Sequence, residues 1–136
     1  MSGFELDERL AADTIGVTGL WLSELRLMND ARFPWLVLVP RVAGASEILD
    51  LARADRAALC DEITAVSQTL MTVTDCDKLN VAALGNVVRQ LHVHVVARFQ
   101  GDAAWPGPVW GHGMAVAYEA EDRDSLIVRI TTALPS

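Results

Sequence analysis

The sequence predicts an α+β domain: a mainly antiparallel sheet of about five strands, one long helix and a C-terminal helix. Three features carry that expectation. Residues 54–74 place Leu59, Ile63, Val66, Leu70 and Val73 at steps of 4, 3, 4 and 3, which is one apolar stripe on a helix. Trp35–Pro40, WLVLVP, is an unbroken apolar run stopped by proline, the pattern of a strand buried on both faces. Strands come first, then the long helix, a hairpin and a last helix, with no internal repeat.

The elements follow in order. Residues 5–12 form a short helix ending near Asp13-Thr14. TIGVTGLWLSELRLMND alternates partially and reads as strands 14–19 and 22–28. Asn29–Trp35 is a turn, and Trp35–Pro40 the central strand. Residues 41–53 connect through one short turn around SEILDL to the long helix, whose first turn holds Asp55, where the helix dipole favours a carboxylate. Residues 78–84 and about 88–98 are expected to pair as a hairpin around Gly85-Asn86. Residues 100–114 hold four glycines and two prolines and form a loop. A helix over about 119–133 carries Leu126, Ile127, Ile130 and, just past it, Leu134 as its apolar stripe.

All 136 residues suit a single domain with one core, given 51% hydrophobic and 21% charged residues. The net charge of −7 opposes nucleic-acid binding but leaves a small phosphate ligand open, because local donors override a global field. Cys60 and Cys76 make no disulfide framework and read as buried or partly buried free thiols in a reducing compartment. The acidic start MSGFELDERLAADT lacks the apolar stretch of a signal peptide. No run approaches the roughly 20 apolar residues of a membrane span. A cytoplasmic protein with no membrane partner is the expectation.

The segment VVRQLHVHVVARF, Val87–Phe99, carries two of the chain's three histidines. Strand alternation sets Gln90, His92, His94 and Val96 on one face, with Arg98 beyond them. Leu91, Val93, Val95 and Ala97 take the other, the core face. Three readings of the row are open. The histidines could satisfy hydrogen bonds on a half-exposed face. They could chelate zinc or iron, with a third ligand from His112, Cys76, Asp77 or Asp102. Or one imidazole could attack phosphorus, which a side chain of unperturbed pKa about 6.5 does competently near neutral pH.

QLHVHVV, Gln90–Val96, resembles the histidine triad (HIT) motif His-φ-His-φ-His-φ-φ at six of seven positions, with Gln90 in place of the first histidine. The flanks agree: ALGNVVRQ supplies the glycine turn before the motif strand, and LVLVP is followed by the basic Arg41. The resemblance spans roughly residues 15–100. It implies a nucleotide hydrolase or transferase working through a nucleotidyl-histidine. By that resemblance His92 is the nucleophile, His94 contacts the phosphate or leaving oxygen, and Gln90 holds the geometry without transferring protons. Backbone carbonyl contacts that fix the nucleophile's tautomer would survive the substitution. Asn29 and Asn80 stand where the family contacts sugar or phosphate, and Asn86 near a family glutamine. Val87 replaces a serine, and a family histidine after the proline-basic pair is missing near Ala43.

The resemblance also implies a small-molecule nucleotide partner, homodimer formation through the long helix and adjoining strand, and no metal in the covalent step. Magnesium would accompany a polyphosphate substrate. Arg98 is the basic residue best placed to touch substrate. Trp105, Trp110 and His112 form either a lid over the site or a loop pinned by its tryptophans. Glu62 and Asp61 are expected in solvent.

Overall fold

The computed structural model describes residues 3–135; Met1, Ser2 and Ser136, included in the expected single domain, lie outside them. Among the described residues, five strands form one antiparallel sheet. The chain runs α1 (Glu8–Asp13), β1 (Thr14–Gly19), β2 (Ser23–Met28), β3 (Trp35–Pro40), a 3-10 turn (Ile48–Asp50), α2 (Arg53–Thr74), β4 (Lys78–Ala82), β5 (Val93–Arg98) and α3 (Ala120–Ala133). The spatial order is β1-β2-β3-β5-β4, so the buried WLVLVP strand is central, as its composition requires.

Alternation divides the sheet into two faces. Leu25 and Leu27 of β2, Leu36 and Leu38 of β3, and Val95 and Ala97 of β5 pack against Val66 and Leu70 of α2 and Leu126 and Ile130 of α3. Trp35, Val37, Val39 and Val96 face the other way. Among the described residues no helix of comparable length covers that side. It is closed by Phe4, Leu6 and Leu10 from the N-terminal segment and by Ala104, Val109 and Trp110 from the loop after β5.

Several expectations are corrected. The motif strand begins at Val93, not at about residue 88, and β4 stops at Ala82 instead of 84. The link between them is therefore the ten residues 83–92, not a tight turn at Gly85-Asn86. The register that pairs Leu38 with Val93 would set Leu91 opposite Pro40, which has no amide N–H. The Leu91 amide instead donates to the Ala45 carbonyl at 3.0 Å, outside the sheet. Glu62 is tied to the body, its Oε2 accepting from the Leu22 amide at 2.7 Å. Cys60, expected buried or partly buried, is exposed on α2, while Cys76 is partly buried; both are free. No helix among the described residues is long and apolar enough to cross a membrane.

Candidate active site

His94 lies within β5, and His92 sits just before it, on the same side of the sheet as parity requires. Their ring centroids are 4.9 Å apart at 73°. They are not on an open sheet surface: His92 is 7% exposed and His94 5%, because the N-terminal segment and the loop after β5 close over them. The row is thus one wall of a cavity.

Hydrogen bonds assign a tautomer to each ring. His92 Nδ1 lies 2.7 Å from the Gln90 carbonyl oxygen. A carbonyl only accepts, so Nδ1 carries the proton and, in the neutral ring, the lone pair sits on Nε2. The Trp35 indole Nε1 donates to His94 Nδ1 at 2.9 Å. An indole N–H only donates, so His94 Nδ1 holds a lone pair and its proton is on Nε2. The pair therefore presents one nucleophilic nitrogen and one N–H donor. Burial pushes the His94 imidazole down to about 4, and the neighbouring His92 adds to the shift. At neutral pH His94 is a neutral donor, held between Trp35 and Trp110 at 5.6 and 5.4 Å between ring centroids.

Two cavities meet at His92. One, of about 260 Å³, is lined by both histidines with Arg9, Leu10, Met28, Asn86 and Trp110 among its walls. The other, of about 510 Å³, has Ile48, Leu49, Leu84, Arg56 and Gln90 around it. Leu84 and Gly85 border both. The junction leaves space on two sides of His92.

The other sequence candidates scatter. Asn86 lines the histidine cavity. Gln90 points its amide elsewhere: Oε1 accepts from the Asp7 amide and Nε2 donates to the Glu5 carbonyl, both at 2.8 Å. Arg98 corrects the expectation of a substrate contact. It is 2% exposed, its Nε lies 2.9 Å from Asp102 Oδ2, and its Nη1 donates to Asn80 Oδ1 at 2.7 Å. Asp102 is held at about 2, chiefly by the Arg98 hydrogen bonds. Asn80 is thereby turned to Arg98, away from the histidine cavity. Asn29 lines a neighbouring cavity of about 340 Å³ with Arg32 and His112, and its Oδ1 accepts from the Tyr118 amide.

Trp110 and Trp105 pin the loop, against Trp35 at 6.0 Å and over Arg98 at 5.7 Å. Trp110 also walls the histidine cavity, so both readings of that loop describe it in part. His112 stands apart from His92 and His94. Among the described residues no three His, Cys, Asp or Glu side chains are placed to hold a metal ion. Asp102 is taken by Arg98, and Asp77 Oδ2 accepts from the Gln100 amide.

Arg9, Met28 and Trp35 escaped the sequence reading. Trp35 shares strand parity with Val37, which pairs with His94, so knowledge of the β3–β5 register would have found it. Arg9 carries no such signal, because the short helix α1 that holds it is set over the cavity by the Gln90 bonds to Glu5 and Asp7, which no periodicity encodes.

The HIT domain family model matches residues 13–101. A histidine triad protein of Bradyrhizobium japonicum is 47% identical, with 98% of this chain and 99% of that chain covered and a TM-score of 0.96. One from Sinorhizobium meliloti is 48% identical over the same shares, at 0.97. One from Marinobacter aquaeolei is 46% identical over 98% and 97%, at 0.95. No curated protein matches the chain.

Proposed function

The chain belongs to the HIT domain family, and on that premise we propose that it binds nucleotides and cleaves nucleoside phosphate conjugates through a nucleotidyl-His92 intermediate. The substrate is a dinucleoside polyphosphate or a nucleoside phosphoramidate. The observation that carries this reading is the complementary tautomer pair, with a lone pair on His92 Nε2 beside an N–H on His94 Nε2.

In the first step His92 Nε2 attacks the α-phosphorus. A P–N bond forms, the bond to the leaving group breaks, and the leaving group departs with the electron pair, a phosphate as its anion and an amine after taking a proton from solvent. The His94 N–H stabilises charge on the phosphoryl oxygens. The ring now bears phosphorus on Nε2 and a proton on Nδ1, and the Gln90 carbonyl offsets its positive charge. In the second step water attacks phosphorus and releases one proton to solvent. The P–N pair returns to Nε2, freeing a nucleoside monophosphate and the starting tautomer. No metal enters these steps; magnesium would arrive only with a polyphosphate.

Of the three asparagines, Asn86 is the one expected to touch substrate, since it lines the cavity of His92 and His94. Homodimer formation belongs to the same reading: β4 is a sheet edge with Val81 exposed, and α2 exposes Met71. Sedimentation of the protein and of Val81→Lys tests it.

A second reading, nucleotide binding with little turnover, is favoured by the Gln90 amide, which is bonded at both its oxygen and its nitrogen and cannot relay a proton. Incubation with adenosine phosphoramidate and a diadenosine polyphosphate separates the two. AMP release that is lost in His92→Ala supports the hydrolase; binding of AMP without turnover of either conjugate supports the module.

A further inference from the structure

The Gln90 side chain makes an unusual pair of bonds. Its Oε1 accepts from the Asp7 amide and its Nε2 donates to the Glu5 carbonyl. The carboxamide thus pairs with the N-terminal segment much as a peptide group would in a sheet, donor and acceptor side by side. The segment is secured further on. Asp7 Oδ1 accepts from the Arg9 and Leu10 amides and caps α1. Leu10 is buried on the histidine face, and Thr14 Oγ1 donates to its carbonyl. This fixes the backbone at Arg9, whose side chain reaches the wall of the cavity shared by His92 and His94.

Arg9 is the one cationic residue among those lining that cavity. Its guanidinium is free enough to bind a ligand: the side chain is 66% exposed, and its ion pair, with Asp13, is long at 3.8 Å. Exposed pairs of that kind hold weakly, so a phosphate with more than one charge can displace the carboxylate. Asp13 also borders the cavity, which disfavours any anion that Arg9 does not meet directly.

Leaving-group chemistry points the same way. An amine leaving phosphorus needs a proton; a phosphate leaves as a stable anion and needs only charge stabilisation. With Gln90 engaged as a mount, the first motif position supplies no proton, whereas Arg9 supplies charge.

We infer that Gln90 mounts the N-terminal segment in place of a motif histidine, that this segment delivers Arg9 to bind a second phosphoryl group, and that the site therefore prefers nucleoside phosphoanhydrides to phosphoramidates. The inference rests on the nucleotide reading above.

Calorimetric titration with AMP and ADP, without magnesium, tests it independently of turnover. The wild-type protein binds ADP about fivefold more tightly than AMP, as expected for one charge-assisted contact at a solvent-exposed arginine. Arg9→Gln brings the ratio to about one, Arg9→Lys keeps part of it, and high salt shrinks it. Gln90→Ala, by loosening the segment, gives an intermediate ratio. In turnover, wild type has a higher kcat/KM for the polyphosphate than for the phosphoramidate, and Arg9→Gln narrows that gap. Equal wild-type affinity for AMP and ADP, or an Arg9→Gln effect equal on both ligands, would overturn the inference while leaving the nucleotide reading intact. Failure of both ligands to bind would overturn the nucleotide reading and the inference with it.

Discussion

The two faces of the sheet are built by different rules. One is sealed by α2 and α3 with apolar side chains at helical spacing. The other is closed by the short N-terminal segment with α1 and by the loop after β5, held by polar clasps. Arg98 and Asp102 form a buried ion pair under the loop after β5. Asp30 accepts from the Arg32 guanidinium and from the Val116 amide, while Arg32 donates to the His112 carbonyl. Burial alone would raise the Asp30 carboxyl, and the Arg32 hydrogen bonds outweigh it and hold it below the usual range. A face closed in this way can retain cavities, since polar clasps fix loops without filling the space between them. Both faces contribute stability, but only the clasped face carries the histidine pair and the cavities beside it.

That contrast can be broken first at the clasp. Asp102→Ala leaves the Arg98 guanidinium buried without its partner, and the expected destabilisation is about 3–5 kcal/mol, read from chemical unfolding. Leu70→Ala, in the centre of the helix face, is expected to remove about 2–5 kcal/mol through lost burial and a cavity, while leaving the tautomers of both histidines unchanged by NMR. An effect of Leu70→Ala on tautomer but not on stability would contradict the division of labour.

Trp35→Phe keeps the ring and removes the indole N–H. An unsatisfied buried acceptor at His94 Nδ1 costs about 1–3 kcal/mol. Nitrogen chemical shifts should then show His94 in mixed tautomers, and the rate should fall because the Nε2 donor is no longer enforced. An unchanged single tautomer would assign Trp35 a packing role only.

A further effect is expected in the pH dependence of wild type. His94 has its folded value near 4 against an ordinary 6.5, so below about 6.5 the unfolded chain binds a proton that the folded ring refuses. Stability should fall as pH drops from about 6.5 to 4. Asp102, with a folded value near 2 against 3.8, adds a second loss as pH falls from about 3.8 to 2. Asp102→Ala would remove only the second limb.

The same contrast explains what could be read from the sequence. The helix face follows period 3.6 on α2 and period 2 on the strands, so α2, α3 and the buried WLVLVP strand were legible from residue spacing. Parity placed His92 and His94 together on the correct side, and put Arg98 on that side too. What Arg98 does there was not legible. Its ion pair depends on a loop doubling back to bring Asp102 beneath it, and no periodicity encodes that. Asn29 and Asn80 stood at suggestive positions, yet their amide oxygens serve Tyr118 and Arg98. Gln90 is the sharpest case. Its neighbours across the hydrogen bonds are Glu5 and Asp7, more than 80 residues earlier in the chain.

The central claim is covalent, so the most direct measurement is capture of the intermediate. The protein is mixed in excess with a diadenosine polyphosphate labelled at the α-phosphorus, quenched in alkaline denaturant to preserve P–N bonds, and mapped by peptide mass. A transient adenylyl group on His92 that forms before free AMP is the predicted result, and it is absent in His92→Ala. AMP appearing with no adduct at His92, or undiminished in the variant, would contradict it.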